Sequence, residues 1–300
     1  MRLVGLACAA AVLGAVVIAP TSAFAYCRSS VCDGGVEGKV CTPAAADDCG
    51  KPLYWVQPCV GFAIQKSASN QVPYDIADQI LAISMSAWTG AVCAGGAPDI
   101  QVTDLGKVDC SNVEYNQHAG NANILIFRDG KWPYQDAGDG ATDTIALTTV
   151  TYDTDNGQIY DADIEVNTAT YTFSTDDAGS MTDLQSVLTH ESGHFLGLAH
   201  STVDDATMFA FYGGGTSLRS LAHDDVAAIC DTYPSGRSTE GKCTDLPRHG
   251  FAPECATDQL EGECALVADG EPMRLSAVAF SPALATAARL RRRARVKARI

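Results

Sequence analysis

The chain has 300 residues, 46% hydrophobic content and a formal net charge of −16, enough apolar material for one sizeable core with additions. Seven basic residues and no acid fill the last twelve positions, so residues 26–288 carry 12 basic against 36 acidic side chains. That balance excludes a nucleic-acid-binding body and fits an acidic, exported domain.

Along the chain, residues 1–25 combine Arg2, a short apolar run and Ala23-Phe24-Ala25. This is the pattern of a secretory signal peptide rather than a membrane span, so the mature chain is expected to begin at Tyr26 and to be secreted, surface attachment staying open. Eleven of the 12 cysteines follow Ala25, which suits an oxidising compartment and leaves an odd thiol. Cys93 and Cys110 could pair locally. Cys27, Cys32, Cys41, Cys49 and Cys59 form one cluster and Cys230, Cys243, Cys255 and Cys264 another, with connectivity open.

Residues 26–50 read as a disulfide-stapled entry segment and 51–234 as the main domain. Within it, 54–65 reads as a strand and 73–90 as an amphipathic helix, with Ile76, Ile80 and Trp88 on one face and Gly90 at its end. Residues 98–105, 122–130, 143–152 and 158–167 read as strands. Residues 182–197 read as a helix, with Thr182 and Gln185 at capping-box spacing and Gly197 as its C-terminal glycine. A last helix covers about 219–233. This order gives an α+β domain. Residues 235–300 form a cysteine-containing segment ending in the basic tail, which reads as a cationic disordered stretch.

The chemistry concentrates in HESGHFLGLAH, residues 190–200. On a helix His190 and His194 project from one face and can share a metal ion. Glu191 is turned about 100° around the axis, off the metal but within reach of a water bound to it. Gly197 lets the chain leave the helix and return His200 as a third ligand. Three imidazoles suit zinc and leave its fourth position open for water, whose pKa zinc lowers to roughly 7. Glu191 can then act as general base and pass the proton to a leaving amine. A closed structural site would want a fourth ligand, and no cysteine lies between Cys110 and Cys230.

HESGHFLGLAHS followed by TVDDATMFAFY resembles the metzincin clan of zinc endopeptidases, and within it the matrixin family. Ser201 after the third histidine and Met208 eight residues after it carry the matrixin resemblance. Tyr212 matches the family's Met-Tyr-Pro-x-Tyr, while Ala210 stands in place of its proline. LAHDDVAAICDTY resembles the family's closing helix. The resemblance implies a twisted, mostly parallel sheet with one antiparallel edge strand, two long helices and a small lower subdomain. It implies that Met208 lies beneath the zinc as a hydrophobic floor, braced by Asp224 and Asp225. On the plainer reading those two acids only favour a helix start. Substrate would lie along the edge strand, placed within 143–151, and Ala210, Phe211 and Tyr212 would wall the pocket for the residue after the scissile bond.

The family's second, structural zinc uses histidines that are missing here, since none lies between His118 and His190. One catalytic zinc is therefore expected. The family's Pro-Arg-Cys-Gly switch is also missing. A spare thiol among the five N-terminal cysteines could instead cap the zinc, although a spare thiol elsewhere is the plainer reading.

Weaker signals remain. Asp153, Asp155, Asp161 and Asp163 offer a calcium loop without EF-hand spacing, or an acidic hairpin turn. His118, His223 and His249 read as surface residues. The expected partners are protein or peptide substrates, with no nucleic acid, no stable membrane span and an oligomeric state left open. The rivals to a secreted zinc endopeptidase are a non-catalytic binding or adhesion protein on the same scaffold and a zinc hydrolase of other bonds. Retention of Glu191 favours an enzyme.

Overall fold

Unbroken apolar runs need cover on both sides, and the fold of this chain supplies it. The computed structural model describes residues 26–31, 51–134, 144–177, 182–238 and 243–256, and the backbone course of 293–299. The expected signal peptide, most of the 26–50 segment and residues 257–292 lie outside the described residues.

The elements in chain order are β1 (Cys27–Arg28), β2 (Cys59–Gln65), α1 (Tyr74–Thr89), β3 (Gln101–Val108), β4 (Ile124–Phe127), β5 (Ala146–Asp153) and β6 (Ile159–Val166). There follow β7 (Phe173–Ser174), β8 (Thr182–Asp183), α2 (Leu184–Phe195), β9 (Leu198–Ala199), α3 (His223–Thr232) and β10 (Arg293–Arg299). The main sheet has six strands in the order β10-β5-β6-β4-β2-β3. The pairs β2·β3, β2·β4 and β4·β6 are parallel. β5 runs antiparallel to β6, and β10 antiparallel to β5.

The helices α1 and α2 complete the main core. Ala77, Ile80, Leu81, Met85 and Trp88 of α1 join Leu184, Val187 and Leu188 of α2 and the alternate residues Ala162, Ile164 and Val166 of β6 in one buried cluster. Period-2 alternation then gives the remaining β6 residues to the other side of the sheet. There stand Asp161, Asp163 and Glu165, all buried. Arg128 pairs with Glu165 at 2.6 Å, and the Tyr134 hydroxyl donates to the same carboxylate at 2.6 Å.

The sequence reading holds in outline and fails in details with physical causes. The strand expected over 54–65 begins only at Cys59, because Pro58 has no N–H to give to a ladder. The cap of α2 is Asp183, whose carboxylate accepts from Ser186 N at 2.8 Å; Thr182 does not take that place. Cys93 and Cys110 do not pair with each other. They join Cys230 and Cys255, while Cys59 joins Cys243. Between them runs the extended strand β3, eight residues or roughly 25 Å long. Cys27 and Cys59 are both disulfide-bonded and drop out as zinc-capping thiols; Cys32, Cys41 and Cys49 lie outside the described residues. Finally, β5 is antiparallel as expected but is not the sheet edge. Residues 293–299 of the tail form a strand along it rather than a disordered stretch.

Candidate metal centre and active site

The site grows out of α2. His190, Glu191 and His194 are all buried on it. At its end Gly197 adopts a φ of +88°, where a Cβ would meet Leu53 O at 2.7 Å, so only glycine turns the chain here. β9 then carries the chain back to His200. It is held by β1, with Cys27 opposite Ala199 and Arg28 opposite Leu198. Ser29 adds a bond from its hydroxyl to Leu198 O at 3.1 Å.

This return brings three imidazole nitrogens together. His194 Nε2 lies 3.0 Å from His190 Nε2 and 3.2 Å from His200 Nε2. The other ring nitrogen of His190 meets Thr207 O at 2.7 Å, and that of His194 meets Leu198 O at 2.8 Å. A carbonyl oxygen only accepts, so both Nδ1 atoms carry the proton and both Nε2 atoms present lone pairs. Two facing lone pairs at 3.0 Å with no proton between them, and a third ring nitrogen at 3.2 Å, fit a cation held among the three rings. Charge on the rings is disfavoured as well. Burial lowers His190 to about 3, with the neighbouring His200 adding to the shift, and burial lowers His194 well below its ordinary value. Neutral imidazole is the form that ligates metal.

Glu191 is fully buried beside them. Its Oε2 accepts from the Thr148 hydroxyl on β5, and its Oε1 has no hydrogen-bond partner within the chain. Burial raises its carboxyl to about 8, the Thr148 bond working against that rise.

Below the triad, Met208 packs against the backbone of α2. A Cβ on Gly193, between the two helical histidines, would collide with Met208 Sδ and with Trp88. The turn holding Met208 is tied down by α3. Asp225 accepts from Thr207 N at 2.7 Å, Met208 N at 3.0 Å and Ala222 N at 2.8 Å. Asp224 accepts from the Ser201 hydroxyl at 2.6 Å, and Ser201 N donates to Met208 O at 2.8 Å.

The expected pocket residues divide. Phe211 is 77% exposed, its ring 5.7 Å from that of Phe209. Tyr212 is anchored at the start of α2: its hydroxyl accepts from Asp183 N at 2.9 Å and donates to Gly215 O at 2.6 Å. Ala210 is half-buried. The four acids proposed for calcium do not converge. Asp153 caps the β5–β6 turn, accepting from Asp155 N and from the Tyr160 hydroxyl, and Asp155 is exposed. Asp161 and Asp163 lie along β6, where burial and the Asp161 carboxylate push Asp163 well above the usual carboxylate range. His118, His223 and His249 are exposed, as expected. Among the described residues only one other group has metal-ligand spacing, Cys110, Glu114 and Cys255, and its cysteines form a disulfide.

Three contributors escaped the sequence. Thr148 carries no motif. The β1 clamp on β9 has no local signal either. Asp183 with Arg219 could have been found, since an aspartate directly before an apolar helical run is a capping signal.

Residues 60–234 match the family described as Matrixin. Among curated proteins, metalloendoproteinase 5-MMP of Arabidopsis thaliana is 44% identical over 62 residues, 21% of this chain and 17% of the relative. The hatching enzyme of Paracentrotus lividus is 44% identical over 74 residues, 25% of this chain and 12% of its own. Karilysin of Tannerella forsythia is 46% identical over 55 residues, 18% and 11%. The matches therefore span less than a fifth of these relatives' length.

Proposed function

The chain belongs to the matrixin family, and from that premise we propose that it is a secreted zinc-dependent endopeptidase, with His190, His194 and His200 as zinc ligands and Glu191 as general base. The observation that carries this reading is the convergence of three imidazole Nε2 atoms beside a buried glutamate. Zinc bound there supplies a Lewis acid that polarises a peptide carbonyl and acidifies water.

The chain's own residues do the rest. The carbonyls of Thr207 and Leu198 fix the tautomer and orientation of His190 and His194. Thr148 holds one oxygen of Glu191, leaving Oε1 to take a proton from water as its oxygen attacks the carbonyl carbon. Oε1 then returns that proton to the amine nitrogen as the C–N bond breaks. Met208 fills the space under the ligands with an apolar side chain, and Ala210, Phe211 and Tyr212 would wall the pocket for the substrate residue after the cut. Export agrees with the three described disulfides, and no helix among the described residues is long and apolar enough to cross a membrane.

The test is a digest of a denatured protein mixture by the purified full chain, with new N-termini identified by mass spectrometry. New termini should form, vanish with phenanthroline and return with added zinc. A protein that holds zinc but generates no new termini, both as the full chain and with Val296→Pro/Lys297→Pro in its last strand, would instead be the binding protein.

A further inference from the structure

A peptide strand adding to β5, the strand nearest Glu191 through Thr148, has only the flank that β6 leaves. β6 occupies one side of β5, and the other side is the flank of the strand whose Thr148 bonds Glu191. That flank is taken. Residues 293–299 pair antiparallel with it at seven successive positions, from Arg293 opposite Asp153 to Arg299 opposite Leu147, with Ala298 opposite Thr148. Each strand residue turns its main-chain groups to one edge or the other, so a strand flanked on both sides has none left for a third. A substrate backbone adding to β5 and the tail strand exclude each other.

We propose that the C-terminal segment 293–299 is a built-in competitor for the substrate edge, so that the full chain is latent until this strand leaves. The inference rests on the endopeptidase reading above. Two further features support it. The tail's seven basic residues face a body of 12 basic and 36 acidic side chains, so long-range attraction draws the segment in. Its covalent link to the domain makes the competition intramolecular, which sets a high effective concentration. Main-chain pairing accounts for a blocking strand that needs no cleavable side-chain match.

The test compares the full chain with its Val296→Pro/Lys297→Pro variant. Neighbouring strand residues turn their N–H groups to opposite edges, so one of the two prolines removes a donor facing β5 in either frame. Two readouts are taken: kinetics on a short quenched-fluorescent peptide, and hydrogen exchange of the amides of residues 147–153. If the open form is about a tenth of the full chain, KM in the variant falls about tenfold with kcat unchanged. Every second β5 amide loses protection, and a synthetic peptide of residues 289–300 added to the variant restores the high KM. Unchanged KM with protection lost would mean that the strand pairs without blocking, and the proposal fails. Unchanged protection would overturn the pairing itself. If protection falls but neither protein cuts any peptide, the endopeptidase reading fails and takes the blocking role with it.

Discussion

The two walls of the metal centre are built in opposite ways. The wall formed by α2 and the Met208 turn is a network of specific side chains: Asp225 accepts from three backbone N–H groups, Asp224 holds Ser201, and Tyr212 holds the start of α2. Its members lie between Asp183 and Asp225. The opposite wall, β5 with β10, joins segments 140 or more positions apart by strand pairing. Thr148 and Glu191 are the bond between the two walls. A wall specified by side chains leaves a signature in the sequence. A wall specified by main-chain groups does not, because every residue except proline has them.

The largest break in the first wall is at the chemistry. Glu191→Ala removes the base but no ligand, so turnover should drop by roughly 10²–10⁴-fold. Zinc measured on the same sample should stay near one per chain, the three histidines being intact. Activity within a few-fold of wild type would take Glu191 out of the reaction, and two tightly held zinc ions would contradict a single centre.

A smaller break removes the brace. Asp225→Ala strands the N–H groups of Thr207, Met208 and Ala222. Urea unfolding should show a loss of roughly 3 kcal/mol or more, since each of the three stranded donors costs about 1–3 kcal/mol while it stays buried. Zinc should also bind more weakly, because the Thr207 carbonyl that orients His190 sits in the loosened turn. A variant as stable as wild type would show that packing of Met208 alone holds the turn.

The smallest effect sharpens the comparison through pH. Burial alone would raise the Asp183 carboxyl, but the bidentate Arg219 guanidinium and the Ser186 hydroxyl and amide more than offset it, so its pKa lies below the ordinary range. An Asp of about 3.9 in the unfolded chain therefore stabilises the fold fully above that pH, and the contribution fades as pH falls through the lower folded value. Arg219→Met should cost roughly 1–3 kcal/mol near neutrality, and the gap to wild type should close in acid. Exposure of Asp177, the second partner of Arg219, keeps that arm minor. Amide protection in β5 should be unchanged by this variant. A gap that widens in acid, or altered β5 exchange, would refute the separation of the two walls.

Legibility followed the same division. The ligand spacing in 190–200 and the glycine turn at 197 were readable, because each places side chains within one helix or one loop, whereas the pairing of Asp224 and Asp225 with the methionine turn came only from the family resemblance. Thr148 was not, since a threonine in a β-branched strand reads as ordinary strand composition. The tail strand was hidden for another reason: its arginines read as solvated charge.

By itself, the sequence determined the α+β order, the helix that carries His190 and His194 and the glutamate beside the first of them, and its cysteines pointed to disulfides. These follow from local periodicity, covalent chemistry and the fixed geometry of a helix. Only the tertiary structure decided which cysteines pair, which strand grips Glu191, what clamps the chain before His200 and what lies along β5. Each of these depends on which distant segments become neighbours once the core is buried, and loop-closing contacts of that kind leave no period in the chain.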